Sequence, residues 1–169
     1  KDRMGRALIE DAEKRGVLKP GSTILEVTAG NAGIGIALAA LGKGYRILFV
    51  VPEKFSEEKQ TIMRAFGAEI VNTPKEEGMQ GAFRKMEELK QSIKDPVLLG
   101  QFDNPANPAV HYRTTGPEIY HGLDGEIDFF VAGAGSGGTL SGVARYLKEH
   151  KPDVQCVLAD PYGSTMGGG

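Results

Sequence analysis

Two glycine-rich runs have the residue types and spacing that chemistry needs. Thr28-Ala29-Gly30-Asn31-Ala32-Gly33 follows an apolar run and opens an alanine-rich one. A turn from strand to helix points backbone N–H groups, and the positive end of the helix dipole, at whatever lies above it. The Thr28 hydroxyl and the Asn31 amide add side-chain donors, so an anion is the expected guest. A carboxylate suits such a loop because it accepts several hydrogen bonds in one plane. Gly133-Ala134-Gly135-Ser136-Gly137-Gly138-Thr139 follows a second apolar run. It offers a nest of N–H groups, two hydroxyls and no basic side chain, as befits a cup for a cofactor with one terminal phosphate. The pattern GxxxxGK[ST] is absent, so this is not a nucleoside-triphosphate loop. Either turn alone is weak evidence. Two of them at strand ends, where open α/β sheets bind their ligands, are stronger.

The elements that position these turns alternate along the chain. Short apolar runs at 23–27, 45–51, 69–71, 97–99, 127–132 and 154–159 read as strands buried on both faces. Helical periodicity occupies 5–15, 32–41, 57–66, 80–92 and 139–149. The second of these, rich in small residues, reads as packed on both sides. The fourth carries a solvated face of Arg84, Lys85, Glu87 and Glu88. Strand and helix in alternation predict an α/β fold of two lobes, each with a mostly parallel open sheet flanked by helices. Residues 101–117, with three prolines and little periodicity, are expected to be an irregular crossing between the lobes. The lobes then cover 1–100 and 101–169. A last strand followed by turn residues without a helix, and the closing Gly167-Gly168-Gly169, suggest a fragment of a larger fold ending in a flexible tail or a mobile loop.

Composition narrows the function classes. Of 169 residues, 24 are glycine, twice the usual share of about 7%. A net charge of −2 provides no basic field for nucleic acid and no polybasic membrane patch. The apolar runs are too short to span a bilayer and no secretory signal is visible. One cysteine, Cys156, cannot form an internal disulfide, which favours a reducing cytoplasm. It reads as core packing, and Met63, Met79 and Met86 as gap-filling apolar residues. His111, His121 and His150 lack metal-ligand spacing and read as surface or capping residues. No metal site is expected.

Five motifs occur in one order: Lys1-Asp2-Arg3, TAGNAG, Gln101-Phe102 with Asn104-Pro105-Ala106-Asn107-Pro108, Thr114-Thr115-Gly116-Pro117-Glu118-Ile119, and GSGGT. Together they resemble the cysteine synthase/cystathionine β-synthase family of pyridoxal-phosphate enzymes, with the tryptophan synthase β-like fold, over essentially the whole chain. The resemblance implies that Lys1 is the lysine of S-x-K-D-R, which holds pyridoxal 5'-phosphate as a Schiff base and then works as a base. Taken alone, Lys1 would read as a solvated charge. Asp2 and Arg3 would fix the first helix. The family pattern further implies that Asn31 binds the cofactor ring hydroxyl. Thr28, Ala29, Gly30 and Ala32, with Gln101, would take the substrate carboxylate. Gly135, Ser136, Gly137, Gly138 and Thr139 would hold the phosphate. Carboxylate capture would draw residues 46–91, the mobile part of the first lobe, over the site.

The sequence departs from the usual TSGNTG at Ala29 and Ala32, losing two hydroxyl donors, and carries GSGGT where GTGGT is common. The family also extends past both ends of this chain, including the serine that meets the pyridine nitrogen. A short-chain dehydrogenase is the nearest mechanistic rival, because TAGNAGIG is one residue from TGxxxGxG. That family needs a Tyr followed four residues later by Lys, and no tyrosine here has one. The expected reaction is β-replacement on an activated serine, O-acetylserine, by a cytoplasmic homodimer acting on amino-acid substrates. Asp160-Pro161-x-Gly163-Ser164 is more similar to cystathionine β-synthases than to cysteine synthases, which favours homocysteine over sulfide as acceptor. A non-catalytic binding protein that captures a peptide C-terminus in the carboxylate loop is the alternative from another class.

Overall fold

The computed structural model describes residues 1–164, so the closing glycine run lies outside the described residues. The chain divides into two compact units, Lys1–Gly100 and Gln101–Gly169. The first holds α1 (Asp2–Lys14), β1 (Thr23–Val27), α2 (Asn31–Ala40), β2 (Arg46–Pro52), α3 (Glu57–Ala65), β3 (Ala68–Thr73) and α4 (Gly78–Ser92). Its strands form a parallel sheet in the order β1-β2-β3, with Leu25 opposite Leu48 and Val50 opposite Val71. Apolar residues of β1 and β2 are buried almost continuously because helices flank both faces. On one face Leu25, Val27, Leu48 and Val50 pack with Ala82, Met79, Met86 and Leu89 of α4. The charged stripe of α4 is turned to solvent, where Lys85 pairs with Glu88 at 2.8 Å.

Two expectations for this unit need correction. The run 97–99 is no full strand: Ile24 pairs with Val97 in a single bridge. The ladder stops there because the buried Glu26 carboxylate accepts the Leu99 N–H, and that of Gly100 at 2.7 Å, in place of a strand carbonyl. Nor is α2 packed all round. Ala32, Ile36, Ala37 and Ala40 are buried, but Leu38 is 43% exposed. It lines an open groove of about 360 Å³ with Ile9, Glu10 and Lys43.

The second unit holds α5 (Ala106–Val110), a π-turn (His111–Thr115), α6 (Gly116–Gly122), β4 (Phe129–Ala132), α7 (Gly138–His150) and β5 (Gln155–Leu158). Strands β4 and β5 pair in parallel, Val131 opposite Val157. One face packs Phe130 and Cys156 against Ile127, Val143, Leu147 and Val154. On the other face Phe129, Val131 and Val157 are exposed. The stretch expected to be irregular is mostly helical. Its prolines do not break the helices: Pro105 caps α5 and Pro108 sits in its first turn, where a missing N–H costs nothing, while Pro117 directly follows the π-turn in a helical run unbroken over 106–122. Among the described residues no helix is long and apolar enough to cross a membrane.

Candidate functional site

In the first unit the TAGNAG loop leaves the carboxyl end of β1. Thr28 N–H still donates to the Val50 carbonyl at 3.1 Å, one step beyond the strand. The Thr28 side chain is buried, and its hydroxyl accepts from Gly30 N–H at 3.1 Å and Gly33 N–H at 3.0 Å. Accepting these two N–H groups shapes the loop and leaves the Thr28 hydroxyl proton as the donor expected for an anion. Gly30 precedes α2 at φ 136, a conformation that side chains rarely adopt. Ile34 N–H returns to the Gly30 carbonyl at 3.0 Å. Asn31 and Ala32 are the first two residues of α2, and their N–H groups have no partner one turn earlier in the helix. Ala29 and Asn31 present their side chains to solvent, whereas Ala32 is buried. The substitution of Ala at position 32 thus places a methyl group in the core.

Lys1 caps α1, which crosses α2 backbone to backbone. A Cβ on Gly35 would come within 2.6 Å of the Lys1 carbonyl oxygen, and one on Gly5 within 2.3 Å of the Gly35 carbonyl carbon. Two glycines thus let the lysine settle on the helix that the loop opens. The Lys1 Nζ lies 3.8 Å from Met4 Sδ, and desolvation there lowers its pKa, which favours a neutral amine.

In the second unit the glycine run opens α7. Gly137 caps that helix at φ 78, in the left-handed region, which turns successive N–H groups toward one side. Gly138 is buried, and a Cβ there would meet Asn107 Oδ1 at 2.1 Å. Asn107, itself buried, donates to the Gln101 carbonyl at 2.9 Å and to Ser136 Oγ at 2.8 Å. One amide thus ties Gln101 and the glycine run to α5. Gln101 is buried and Thr139 is exposed. Asn107 had no assigned role in the sequence reading, and neither had Glu26. A charged residue inside the apolar strand Thr-Ile-Leu-Glu-Val was the available signal for Glu26. Asn107 gave none beyond its place in the NPANP motif.

Glycine run and loop both offer donors suited to anions, and sequence relationships show the family in which they occur. The profile of pyridoxal-phosphate dependent enzymes matches residues 1–168. The chain belongs to that family. The O-acetylserine dependent cystathionine β-synthase of Bacillus subtilis is 52% identical over 169 residues, and a cysteine synthase of Helicobacter pylori is 51% identical. Both alignments cover 100% of this chain and 55% of the relative, so the chain spans about half the length of these proteins. Among solved structures, an O-acetylserine dependent cystathionine β-synthase from H. pylori superposes with a TM-score of 0.93 at 50% identity, covering 99% of this chain and 55% of that one. A hydrogen sulfide-producing enzyme from Fusobacterium nucleatum gives 0.92 at 39% identity, covering 97% and 55%. The expected α/β fold of pyridoxal-phosphate enzymes and its cofactor follow from this membership.

Proposed function

We propose that the full-length protein, as a cytoplasmic homodimer, replaces the acetate of O-acetylserine with a thiol and that homocysteine is its preferred acceptor. The observation that carries this reading is the seating of the Lys1 backbone on Gly35, in the helix that begins at Asn31. It supports a reactive amine and an anion-binding loop held by one helix pair. The residues fit the cofactor: the cup offers N–H groups and hydroxyls without a carboxylate, and Lys1 is an amine of lowered pKa. When bound, pyridoxal phosphate supplies an aldehyde for an amine and a ring that draws negative charge away from the substrate Cα.

The residues of this chain would do the rest. Gly135, Ser136, Gly137, Gly138 and Thr139 hold the phosphate, and Asn31 donates to the ring hydroxyl. The Thr28 hydroxyl and the Ala29, Asn31 and Ala32 N–H groups take the substrate carboxylate, in a loop whose turn is made at Gly30. Gln101 is assigned to substrate binding. The Lys1 amine removes the Cα proton, and acetate departs from Cβ before the thiol adds there. Residues 46–91 include β2 and β3, hydrogen-bonded in register beside β1. Carboxylate capture at the end of β1 would pull on them directly and shield the site from water.

The preference for homocysteine rests on Asp160-Pro161-Tyr162-Gly163-Ser164, where Ser164 N–H closes a turn on the Pro161 carbonyl at 3.0 Å and Asp160 is exposed. An exposed carboxylate suits the ammonium group of an amino-acid thiol. Sulfide is the second reading, favoured by the cysteine synthases among the relatives. Two measurements on the full-length enzyme test the proposal. Lys1→Ala should abolish the visible absorbance of the lysine-bound cofactor together with turnover; normal activity would remove Lys1 from its role. With both acceptors at equal concentration, cystathionine should form at least as fast as cysteine. A hundredfold preference for sulfide, about 2.7 kcal/mol in transition-state stabilisation, would make the enzyme a cysteine synthase.

A further inference from the structure

We propose that His111 is a positioning residue of the phosphate cup, acting in the relay Thr115–His111–Thr139 to aim the Thr139 hydroxyl proton at the cofactor phosphate. The proposal rests on the assignment of the cup to that phosphate and extends it to residues that do not touch the anion. His111 begins the π-turn, and its Nδ1 lies 2.8 Å from Thr115 Oγ1, four residues on. Its Nε2 lies 3.3 Å from Thr139 Oγ1 at the start of α7. The ring is half-buried between the two hydroxyls.

For a neutral ring, valence selects one arrangement. A phosphate dianion accepts hydrogen bonds and donates none, so Thr139 helps to hold it only with its O–H directed at the anion. The Thr139 oxygen must then accept from His111, which requires the proton on Nε2. In a neutral ring Nδ1 is then an acceptor, and Thr115 must donate to it. The opposite tautomer would accept the Thr139 proton and turn it away from the anion. The hydrogen bond at Nδ1 thus sets which way the distant hydroxyl points, as outer partners orient histidines at metal sites.

Backbone packing supports the same connection. Gly142 lies one turn further along α7, and a Cβ there would come within 2.2 Å of the Pro108 carbonyl oxygen and 2.8 Å of His111 Cβ. His111 and the amino-terminal turn of α7 are therefore held together with no room for adjustment. Asn107, one turn before His111, fixes the other side of the cup through Ser136 Oγ. Wide turns of this kind are frequent at functional sites. Here the π-turn sets Thr115 against the His111 ring.

The experiment uses full-length holoenzyme and its resolved apo form, with His111→Leu, Thr115→Val, the double variant and Thr139→Val. Pyridoxal-phosphate affinity is read by fluorescence titration of the apo protein, and the bound phosphate by phosphorus NMR. Thr139→Val should weaken affinity about tenfold, as loss of a hydrogen bond to a charged group does. His111→Leu should approach that loss, and Thr115→Val, nearly isosteric and remote from the anion, should reach several-fold. Each should move the phosphorus resonance. The double variant should be no weaker than His111→Leu, because the three side chains act in series. If Thr139→Val weakens binding while Thr115→Val and His111→Leu, folded as judged by apo-protein unfolding, leave affinity and resonance unchanged, the relay is overturned and the cup stands. If Thr139→Val also changes neither, phosphate placement in the cup falls with it. Should His111→Leu fail to fold, Thr115→Val decides alone.

Discussion

Gly35→Ala adds one methyl group at the place where Lys1 rests on α2. Its Cβ would lie 2.6 Å from the Lys1 carbonyl oxygen, 2.9 Å from the carbonyl carbon and 3.3 Å from the Asp2 nitrogen. All three are backbone atoms of the first turn of α1, so no side chain can swing aside. Ordinary contact begins at 3.4 Å, and α1 must withdraw by about 0.8 Å at its amino-terminal end. The opposing Gly5 leaves no slack, since the helices already meet through their backbones. Overpacking of this kind costs about 1–3 kcal/mol, and each kcal/mol lowers Tm by roughly 2–4 °C in a domain of this size. The larger effect should be on turnover, because a displacement of about 1 Å at a reacting group can cost two orders of magnitude. Thermal unfolding and kcat of the full-length enzyme are the assays. Gly122→Ala is the control, since a Cβ there meets nothing within 4 Å. A Gly35→Ala variant with Tm and kcat within error of the parent would refute the claim that this crossing positions the lysine.

Two further outcomes are expected. Thr28→Val should strip the acceptor from Gly30 and Gly33 N–H, at about 1–3 kcal/mol for buried donors left unpaired, and raise KM for O-acetylserine at least several-fold. Thr28→Ser should restore it, and a KM within twofold of the parent in Thr28→Val would show that the loop keeps its shape unaided. Burial holds the Glu26 carboxyl above the ordinary value of 4.5, against the pull of the Gly100 and Leu99 N–H groups. The folded state then binds that proton more tightly than the unfolded chain. The stability so gained is complete below the unfolded pKa and is lost as pH rises through the raised one. Glu26→Gln, neutral throughout, should gain on the parent as pH rises from about 5 to about 8. Urea midpoints that run parallel across that range would show that the backbone donors outweigh burial.

Much of this architecture can be read from the sequence where apolar runs are bounded by glycine or charge. The strand at 23–27 and the helices near 57–66 and 80–92 emerge within two residues of their expected limits. The order of motifs carries family and cofactor. What stays hidden depends on contacts made through space. The prolines at 105, 108 and 117 look like breakers until the fold shows the first two in a cap and a first turn and the third just after a π-turn. Val97 to Leu99 looks like a strand, but the Glu26 carboxylate takes the donors that a further ladder would use. His111 lacks any metal-ligand spacing, and its link to Thr139 spans residues 28 apart in sequence. Thr28 was legible as a polar residue in the loop, although its acceptor role requires the loop to be folded.

The bare face of β4 and β5 has a consequence for expression. Phe129, Val131 and Val157 are exposed together on a sheet of two strands. Produced by itself, the stretch 1–164 would turn that apolar face to water, and such a surface recruits chaperones or neighbouring chains. Changing all three residues to threonine should therefore raise the share of that product recovered in the soluble fraction.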